Sequence, residues 1–298
     1  MPRPDGDFDE AISIDWSAAA VPTTGADSCW LAHGALSGRR ALDVVNHSSR
    51  LALMEDLEDR LGRSIGRGRR VLVAIDVSFG FAAGAARILG FDFSPSWTGM
   101  WAGLEARIVE GAHNANNRFE VADQLNVESG TRLFWGRPHQ RSFDHLVHLP
   151  IKDVAVAGLA PNPLPRLRAC ELLAGAGVIS NWMLVGRGSV GGQILTCLPQ
   201  LERLRRRLDE QVAVWPFQGP GDPGNPVVLA ETWHGLFDWR RQPGRCRDEQ
   251  QVRGTFEQLR RLGTAGRAAL LAPRSIDELG EIRRAEIIDE EGWTLGIL

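Results

Sequence analysis

The stretch Val71-Leu-Val-Ala-Ile-Asp76 is a continuous run of β-branched and aliphatic residues that ends in an acid. Such a run is typical of a central strand that is covered on both faces of a sheet. Upstream of it, apolar segments at residues 11–18, 28–34 and 41–46 predict three more strands. Leucines at helical spacing predict a helix over residues 50–63, directly before the central strand. The order strand, strand, strand, helix, strand indicates the opening of an α/β fold with a mixed sheet.

The remainder of the chain is read in the same way and predicts further helices and strands. The predicted helices cover residues 96–110, 118–126, 164–176, 192–209 and 247–262, the predicted strands cover 182–185, 212–217 and 226–231, and a loop is expected at 219–226. Because Gly, Pro and Trp interrupt residues 80–180, we expect this segment to be a helical or irregular insertion that covers one face of the sheet. We expect residues 1–298 to form a single domain.

The composition excludes several chemistries. Lys152 is the only lysine among 34 basic residues, and the chain contains no tyrosine. A Walker A loop needs Gly-Lys-Ser/Thr, which the segment around Lys152 does not provide. The surroundings of Lys152 likewise suggest neither a kinase nor a Schiff-base enzyme, and a Tyr–Lys hydride-transfer pair is impossible. A net charge of −3 disfavours a protein that binds nucleic acid tightly and independently of its sequence, because such proteins are normally basic.

The same composition bears on the compartment. No apolar run approaches the about 18 residues of a membrane-spanning helix, and the N-terminal segment is acidic, unlike a secretory signal. The four cysteines, Cys29, Cys170, Cys197 and Cys246, are scattered and form no Cys-x-x-Cys pair. Reduced thiols in a cytoplasmic protein fit this spacing best, and we expect no contact with a membrane.

Three predicted strands end in an acid, namely Asp15, Asp76 and Glu231. Side chains at the carboxyl ends of neighbouring strands converge on one crevice, where ligands bind. Carboxylates that are packed together repel one another unless a cation lies between them, and Mg²⁺ accepts such oxygen ligands. We therefore predict Asp15, Asp76 and Glu231 as catalytic ligands of Mg²⁺ or Mn²⁺, with Asp248 at a helix start as a further catalytic acid. The alternative is that these acids simply enter polar loops.

These residues also carry a resemblance. A strand ending in Asp15-Trp-Ser17, two more strands, a helix and a strand ending in Asp76 resemble the opening of the RNase H-like superfamily. The segments Asp76-Val-Ser-Phe-Gly-Phe and Glu231-Thr-Trp-His are similar to those of a family of predicted nucleases of unknown function with that fold. Ser78 and His234 stand where that family has proline. The resemblance implies that Asp15, Asp76 and Glu231 face a metal ion and that Asp248 is a weaker counterpart.

A second resemblance covers most of the chain in short pieces. The chain resembles uncharacterised proteobacterial proteins that are sometimes labelled molybdopterin guanine dinucleotide synthesis factors. Besides Asp15-Trp-Ser-Ala, the matching pieces are Asn116-Asn-Arg-Phe-Glu, Phe134-Trp-Gly-Arg-Pro, Gly188-Ser-Val-Gly, Val214-Trp-Pro-Phe and Glu291-Gly-Trp-Thr-Leu-Gly. This resemblance implies no mechanism.

Other polar side chains are candidates for ligand binding. Asn117, Arg118 and Arg137 are suited to orienting a phosphate or carboxylate, although Asn is also an ordinary helix N-cap. The segment from Gly186 to Gly192 contains Gly-x-Gly-x-x-Gly before a predicted helix, a pattern that is typical of dinucleotide binding at a helix N-terminus. Against this reading, the next predicted strand lacks the terminal acid that would hold a ribose hydroxyl. That segment is read as a turn in which Ser189 or Gln193 meets an anion, or as plain helix initiation. Ser17 beside the first acid completes the candidate ligand-binding set.

A cluster of histidines gives a further alternative. His139, His145 and His148 lie close together, and His145 and His148 have the spacing of zinc ligands on a helix. The flanking Pro138 and Pro150 favour a surface loop instead.

Together these patterns predict a metal-dependent hydrolase of phosphodiester or phosphoanhydride bonds, similar to a nuclease, with nucleic acid or a nucleotide as partner. One alternative is a non-hydrolytic protein that binds a nucleotide or a pterin-type ligand, with a link to molybdenum cofactor biosynthesis. Another is an interaction scaffold, which would show a large exposed apolar patch.

Overall fold

The computed structural model describes residues 7–38, 41–91, 93–148, 156, 158–175, 177–186, 188–219 and 225–298. Within these residues a six-stranded mixed sheet forms the centre of an α/β fold. Its strands are β1 (Glu10–Asp15), β2 (Cys29–Ala35), β3 (Asp43–His47), β4 (Val71–Ile75), β7 (Val212–Trp215) and β8 (Val227–Glu231), and β5 (Thr131–Arg132) pairs separately with β6 (Ala160–Pro161).

The sheet has the order β3-β2-β1-β4-β8-β7. The first three strands form antiparallel pairs, whereas β4 is parallel to β1, and β8 is parallel to both β4 and β7. In the register of the parallel strands Ile14 lies beside Ile75, and Ile75 lies beside Glu231. This register places Asp15 and Asp76 next to each other, one position beyond Glu231 along the sheet.

Helices cover both faces of the sheet. The helices among the described residues are α1 (Arg50–Gly66), α2 (Ala85–Ile88), α3 (Ser96–Glu105), α4 (Arg118–Ser129), α5 (Ala169–Ala174), α6 (Gly191–Leu208), α7 (Arg247–Arg261), α8 (Gly263–Leu271), α9 (Arg274–Glu278) and α10 (Glu281–Glu286). Helices α1, α3, α4 and α6 bury residues such as Leu57 and Trp101 against one face. Helices α7 and α8 bury Phe256 and Leu270 against the other.

Alternate residues of each strand enter the two cores, as the pleat of a sheet requires. Ile14, Ile75 and Leu229 belong to the core beneath α1 and α6. Ala74 and Ala230 belong to the core beneath α7. A central strand that is covered on both faces is therefore apolar along its whole length, which is why Val71–Ile75 has no polar residue.

The predicted order of strand, strand, strand, helix and strand is confirmed by β1, β2, β3, α1 and β4. Ser49 is the N-cap of α1, because its hydroxyl accepts from the backbone N–H of Ala52 at 3.3 Å. The described part of the predicted insertion, residues 80–180, supplies Trp101 and Phe134 to the core beneath α1 and α6, but Cys170 packs in the opposite core. The single-domain assignment stays a prediction.

Some expected elements differ from the structure. The strand predicted at residues 182–185 is wrong: Met183 makes only an isolated bridge with Trp135, because this segment turns back before α6. The helix predicted over 164–176 is formed only at Ala169–Ala174, since three prolines precede it. Some features named in the sequence analysis lie outside the described residues. These are Pro150, Lys152, Arg187 in the glycine-rich segment and most of the predicted loop at 219–226.

Candidate metal centre

Two aspartates at the ends of β1 and β4 begin the site. The backbone N–H of Asp76 donates to the carbonyl of Ile14 at 2.9 Å, which continues the parallel ladder to the last residue of each strand. Asp15 and Asp76 thereby leave the sheet side by side and on the same face, and both are half-buried. The predicted convergence of these two acids is what the structure shows.

His234 joins the two aspartates from the third strand end. It lies in a 3₁₀ turn, His234–Leu236, three residues after the end of β8, and its side chain is fully buried. One ligand atom from each of Asp15, Asp76 and His234 lies within 4.8 Å of the others. Nε2 of His234 is 3.9 Å from Oδ2 of Asp76.

The hydrogen bonding of His234 suits a metal ligand. Its Nδ1 lies 2.7 Å from the hydroxyl oxygen of Thr255 on α7, whereas its buried Nε2 has no hydrogen-bond partner among the described residues. When Nδ1 carries the proton and donates to Thr255, Nε2 presents a lone pair toward the carboxylates. Metal-binding histidines are commonly oriented in this way by a bond from the other ring nitrogen.

Burial and mutual repulsion govern the charges of this cluster. Burial, with a further contribution from Asp76 and Asp248, raises the pKa of Asp15 well above its ordinary value. Burial also raises the pKa of Asp76 to about 7, against an opposing backbone N–H of His234. Burial lowers the pKa of His234 to about 3, so its imidazole is neutral at pH 7. A bound cation would offset the repulsion between the two carboxylates, and a neutral imidazole is the form that binds a metal.

The first turn of α7 adds an acidic and a basic residue beside the two aspartates. Asp248 accepts from the backbone N–H of Asp27 at 2.7 Å, and its burial raises its pKa. Arg247 is exposed and acts on Asp15 and Asp76 by lowering their pKa values. Among the described residues Arg247 forms no ion pair within 4.0 Å, and its guanidinium carbon lies over the ring of Trp239, 5.3 Å from the ring centroid. The side chain therefore remains available for an anion.

Glu231 differs from its predicted place in the metal site. The register puts it beside Ile75, and successive side chains alternate, so it lies on the face opposite to Asp15 and Asp76. There Oε1 and Oε2 accept from Nη2 and Nη1 of Arg168 at 2.6 and 2.8 Å. Oε2 also accepts from the backbone N–H of Phe79, and Oε1 from the hydroxyl of Thr294. Among the described residues Glu231 thus forms a buried ion pair with Arg168 and is not part of the cluster of Asp15, Asp76 and His234.

A cleft of about 720 Å³ opens over the aspartates. Its walls include Asp15, Asp76, Asp248 and Arg247. The predicted candidates Ser17, Ser189 and Gln193 also line it. Two of these side chains already have a partner within the protein. The hydroxyl of Ser17 donates to the carbonyl of Asp27 at 2.6 Å, and the side-chain amide of Gln193 donates to the carbonyl of Trp16 at 2.7 Å.

The other predicted ligand-binding residues have structural partners away from the cleft. Asn117 ties two backbone segments together, accepting from Val109 N–H and donating to the carbonyl of Arg107. Arg118 is buried; it donates to Asn116 at 2.9 Å and lies over the ring of Phe119. Arg137 donates to the carbonyl of Arg141 at 2.6 Å. None of the three lines the cleft. Arg118 nevertheless lies near the start of α6, where a Cβ on Gly192 would be 3.4 Å from its Nε, and this Nε has no hydrogen-bond partner among the described residues.

Of the two alternative motifs, the histidines form no metal cluster among the described residues, whereas Gly186, Gly188 and Ser189 of the glycine-rich segment line the cleft. Rings of His139 and His148 lie 3.6 Å apart between centroids, but within the described residues the cluster of Asp15, Asp76 and His234 is the one group that could hold a metal. The glycine-rich segment is the start of α6, where a Cβ on Gly191 would lie 2.5 Å from the carbonyl oxygen of Asn181. Close packing against residues 181–184 thus explains this glycine.

No sequence pattern predicted His234 or Arg247 as a site residue. The only signal for His234 was that it follows Glu231 by three residues, in a position where the resembled family has proline. Arg247 precedes the predicted acid Asp248, but nothing in the sequence placed α7 beside β1.

Comparison with models of protein families, with curated proteins and with solved structures gave no match. Among the described residues, no helix is both long enough and apolar enough to cross a membrane.

Proposed function

We propose that this protein is a divalent-metal-dependent hydrolase of phosphodiester or phosphoanhydride bonds. The observation that carries the proposal is the grouping of Asp15, Asp76 and His234, whose ligand atoms lie within 4.8 Å of one another. The two aspartates line an open cleft, and His234 is buried behind them. The buried Nε2 of His234, which has no partner among the described residues, supports a ligand role for this group.

The donor set favours Mn²⁺ over Mg²⁺. Two carboxylates suit either ion, but imidazole is a better ligand for transition metals than for Mg²⁺. An ion held there would act as a Lewis acid on a phosphoryl oxygen. In this proposal Asp15, Asp76 and His234 hold the ion, and Thr255 fixes the orientation of the imidazole.

Two residues of α7 complete the proposed machinery. Arg247 lies on the cleft wall without an ion pair among the described residues, so it is placed to bind a phosphate oxygen and offset its charge. Asp248 has a pKa raised by burial, and one of its oxygens is fixed by the N–H of Asp27. A carboxylate of this kind is suited to accept the proton of an attacking water.

The RNase H-like relationship remains part of the proposal. The order of the first four strands and the acids at the ends of β1 and β4 support it. The ion pair of Glu231 with Arg168 argues against carrying over the third acid of the resembled family.

The proposal is tested with the full-length protein and bis(p-nitrophenyl) phosphate as a generic diester. We expect hydrolysis that requires Mn²⁺, stops with EDTA and falls at least about a hundredfold in Asp15→Asn, because a ligand of the ion is lost. Asp59→Asn is the matched control, since the side chain of Asp59 is 71% exposed, and it retains activity. Full activity in Asp15→Asn, or in EDTA, overturns the proposal. Binding of Mn²⁺ without any hydrolysis overturns it in favour of the non-hydrolytic alternative.

A further inference from the structure

A second pocket adjoins the cleft on the other side of Asp76. Its volume is about 290 Å³, and it shares Asp76, Trp233 and Arg247 with the cleft. The two cavities are therefore neighbouring parts of one groove, with the carboxylate of Asp76 between them.

Trp233 gives this pocket an exposed aromatic surface. The side chain is 38% exposed, whereas the other nine tryptophans of the chain are less exposed. Its indole packs closely against Gly235, where a Cβ would lie 2.9 Å from Nε1 of the ring. Glycine at this position leaves room for the indole beside the groove.

The remaining walls combine apolar side chains with polar ones, among them Ser78, Glu171, Asn181 and Thr294. Val77, Val178 and Ile179 line the pocket. Thr232 lines it as well, and its buried hydroxyl has no hydrogen-bond partner among the described residues. An unpartnered buried hydroxyl is costly unless a ligand or water supplies the missing bond. A flat heterocycle with hydrogen-bonding edges would pack against the apolar side chains and supply a hydrogen-bond partner for the hydroxyl of Thr232.

The charges indicate where the anionic part of such a ligand would lie. Arg168 also lines the pocket, but its guanidinium is paired with Glu171 and Glu231 at 2.9 and 2.6 Å. The free cation is Arg247, which stands at the junction with the cleft and forms no ion pair within the described part of the chain. The ring would therefore enter the pocket, and the phosphate would stay at Arg247.

We infer that the pocket receives the nucleobase of a nucleotide, which stacks on Trp233 while its phosphate lies between Arg247 and the Asp15–Asp76–His234 cluster. Stacking on an aromatic side chain requires a base that is not already stacked in a duplex. The substrate class is accordingly a nucleotide or an unpaired strand end. The position of the phosphate rests on the proposed function, whereas the base pocket rests on Trp233 and its neighbours.

Calorimetric titration of the full-length protein in Mn²⁺ tests this inference with adenosine 5′-monophosphate and ribose 5-phosphate as probes. We expect the monophosphate with the base to bind at least about tenfold more tightly, because base stacking on an aromatic residue contributes about that factor. Trp233→Ala abolishes this difference in affinity because it weakens the binding of adenosine 5′-monophosphate alone. Trp233→Phe retains the difference. Phe93→Ala removes an aromatic side chain that is 66% exposed and is the control.

Equal affinity for the two probes, no detectable binding of the nucleotide, or a preference that survives in Trp233→Ala overturns the inference. The outcome is separable from that of the proposed function. A base preference that depends on Trp233 in a protein without hydrolytic activity refutes the hydrolase and keeps the pocket. Hydrolysis of the generic diester without a base preference keeps the hydrolase and refutes the base pocket.

Discussion

Replacement of Glu231 by glutamine separates a structural role of this acid from a metal-binding role. Among the residues that the structure describes, all the hydrogen-bond partners of its carboxylate are donors: both Nη atoms of Arg168, the backbone N–H of Phe79 and the hydroxyl of Thr294. A glutamine side chain in either orientation directs its NH₂ group at some of these donors. The substitution also removes one of the two carboxylates that are paired with the buried Arg168.

The size of the effect follows from the burial of this pair. The side chains of Arg168 and Glu231 are 1% and 3% exposed, and breaking a buried ion pair costs about 3–5 kcal/mol. An unfolding entropy of about 2.1 cal/mol/K per residue gives roughly 0.6 kcal/mol/K for 298 residues. We therefore expect the Tm of Glu231→Gln to fall by about 5–8 °C.

Differential scanning calorimetry in EDTA and then in Mn²⁺ measures both roles. We expect Glu231→Gln to have a lower Tm in EDTA and to keep the increase in Tm that Mn²⁺ gives the unchanged protein. Glu257→Gln is the control, because Glu257 forms a partly exposed pair with Arg260, worth at most about 1 kcal/mol. A variant with an unchanged Tm in EDTA and no response to Mn²⁺ would refute the ion-pair assignment and restore Glu231 as a metal ligand.

Two more predictions concern ionisation and thiol access. Burial raises the pKa of Asp76 from 3.8 to about 7, so its ionisation destabilises the metal-free folded state increasingly as the pH rises from about 4 to 7. Asp76→Asn should accordingly raise the Tm in EDTA at pH 8 and change it little at pH 4.5; a lower Tm at pH 8 contradicts this. Iodoacetamide at pH 8 should modify Cys246 in the native protein and spare the buried Cys29, Cys170 and Cys197, since burial raises the pKa of Cys29 and Cys170 to about 12. Peptide mass spectrometry checks this result, and modification of the buried thiols at the rate of Cys246 disproves it.

Local patterns were sufficient to locate much of the fold. The apolar run at residues 71–76 is β4 followed by Asp76, and the leucines after Ser49 form α1 with that serine as its cap. These features depend on neighbouring residues, since strand and helix periods and N-caps are properties of short segments. The predicted strand at residues 182–185 failed because a short apolar run does not distinguish a strand from a packed loop.

The sequence by itself determined that acids stand at the ends of three strands, but only the tertiary structure decided which of them share a site. Asp15 and Asp76 meet because β1 and β4 are adjacent and in matching register. Glu231 is one position short in that register and faces the other side of the sheet, where Arg168 binds it. His234 and Arg247 take the places around the aspartates because α7 packs against the same face. The physical reason is that a shift of one residue in a strand reverses the direction of its side chain, and no local pattern records the register between distant strands.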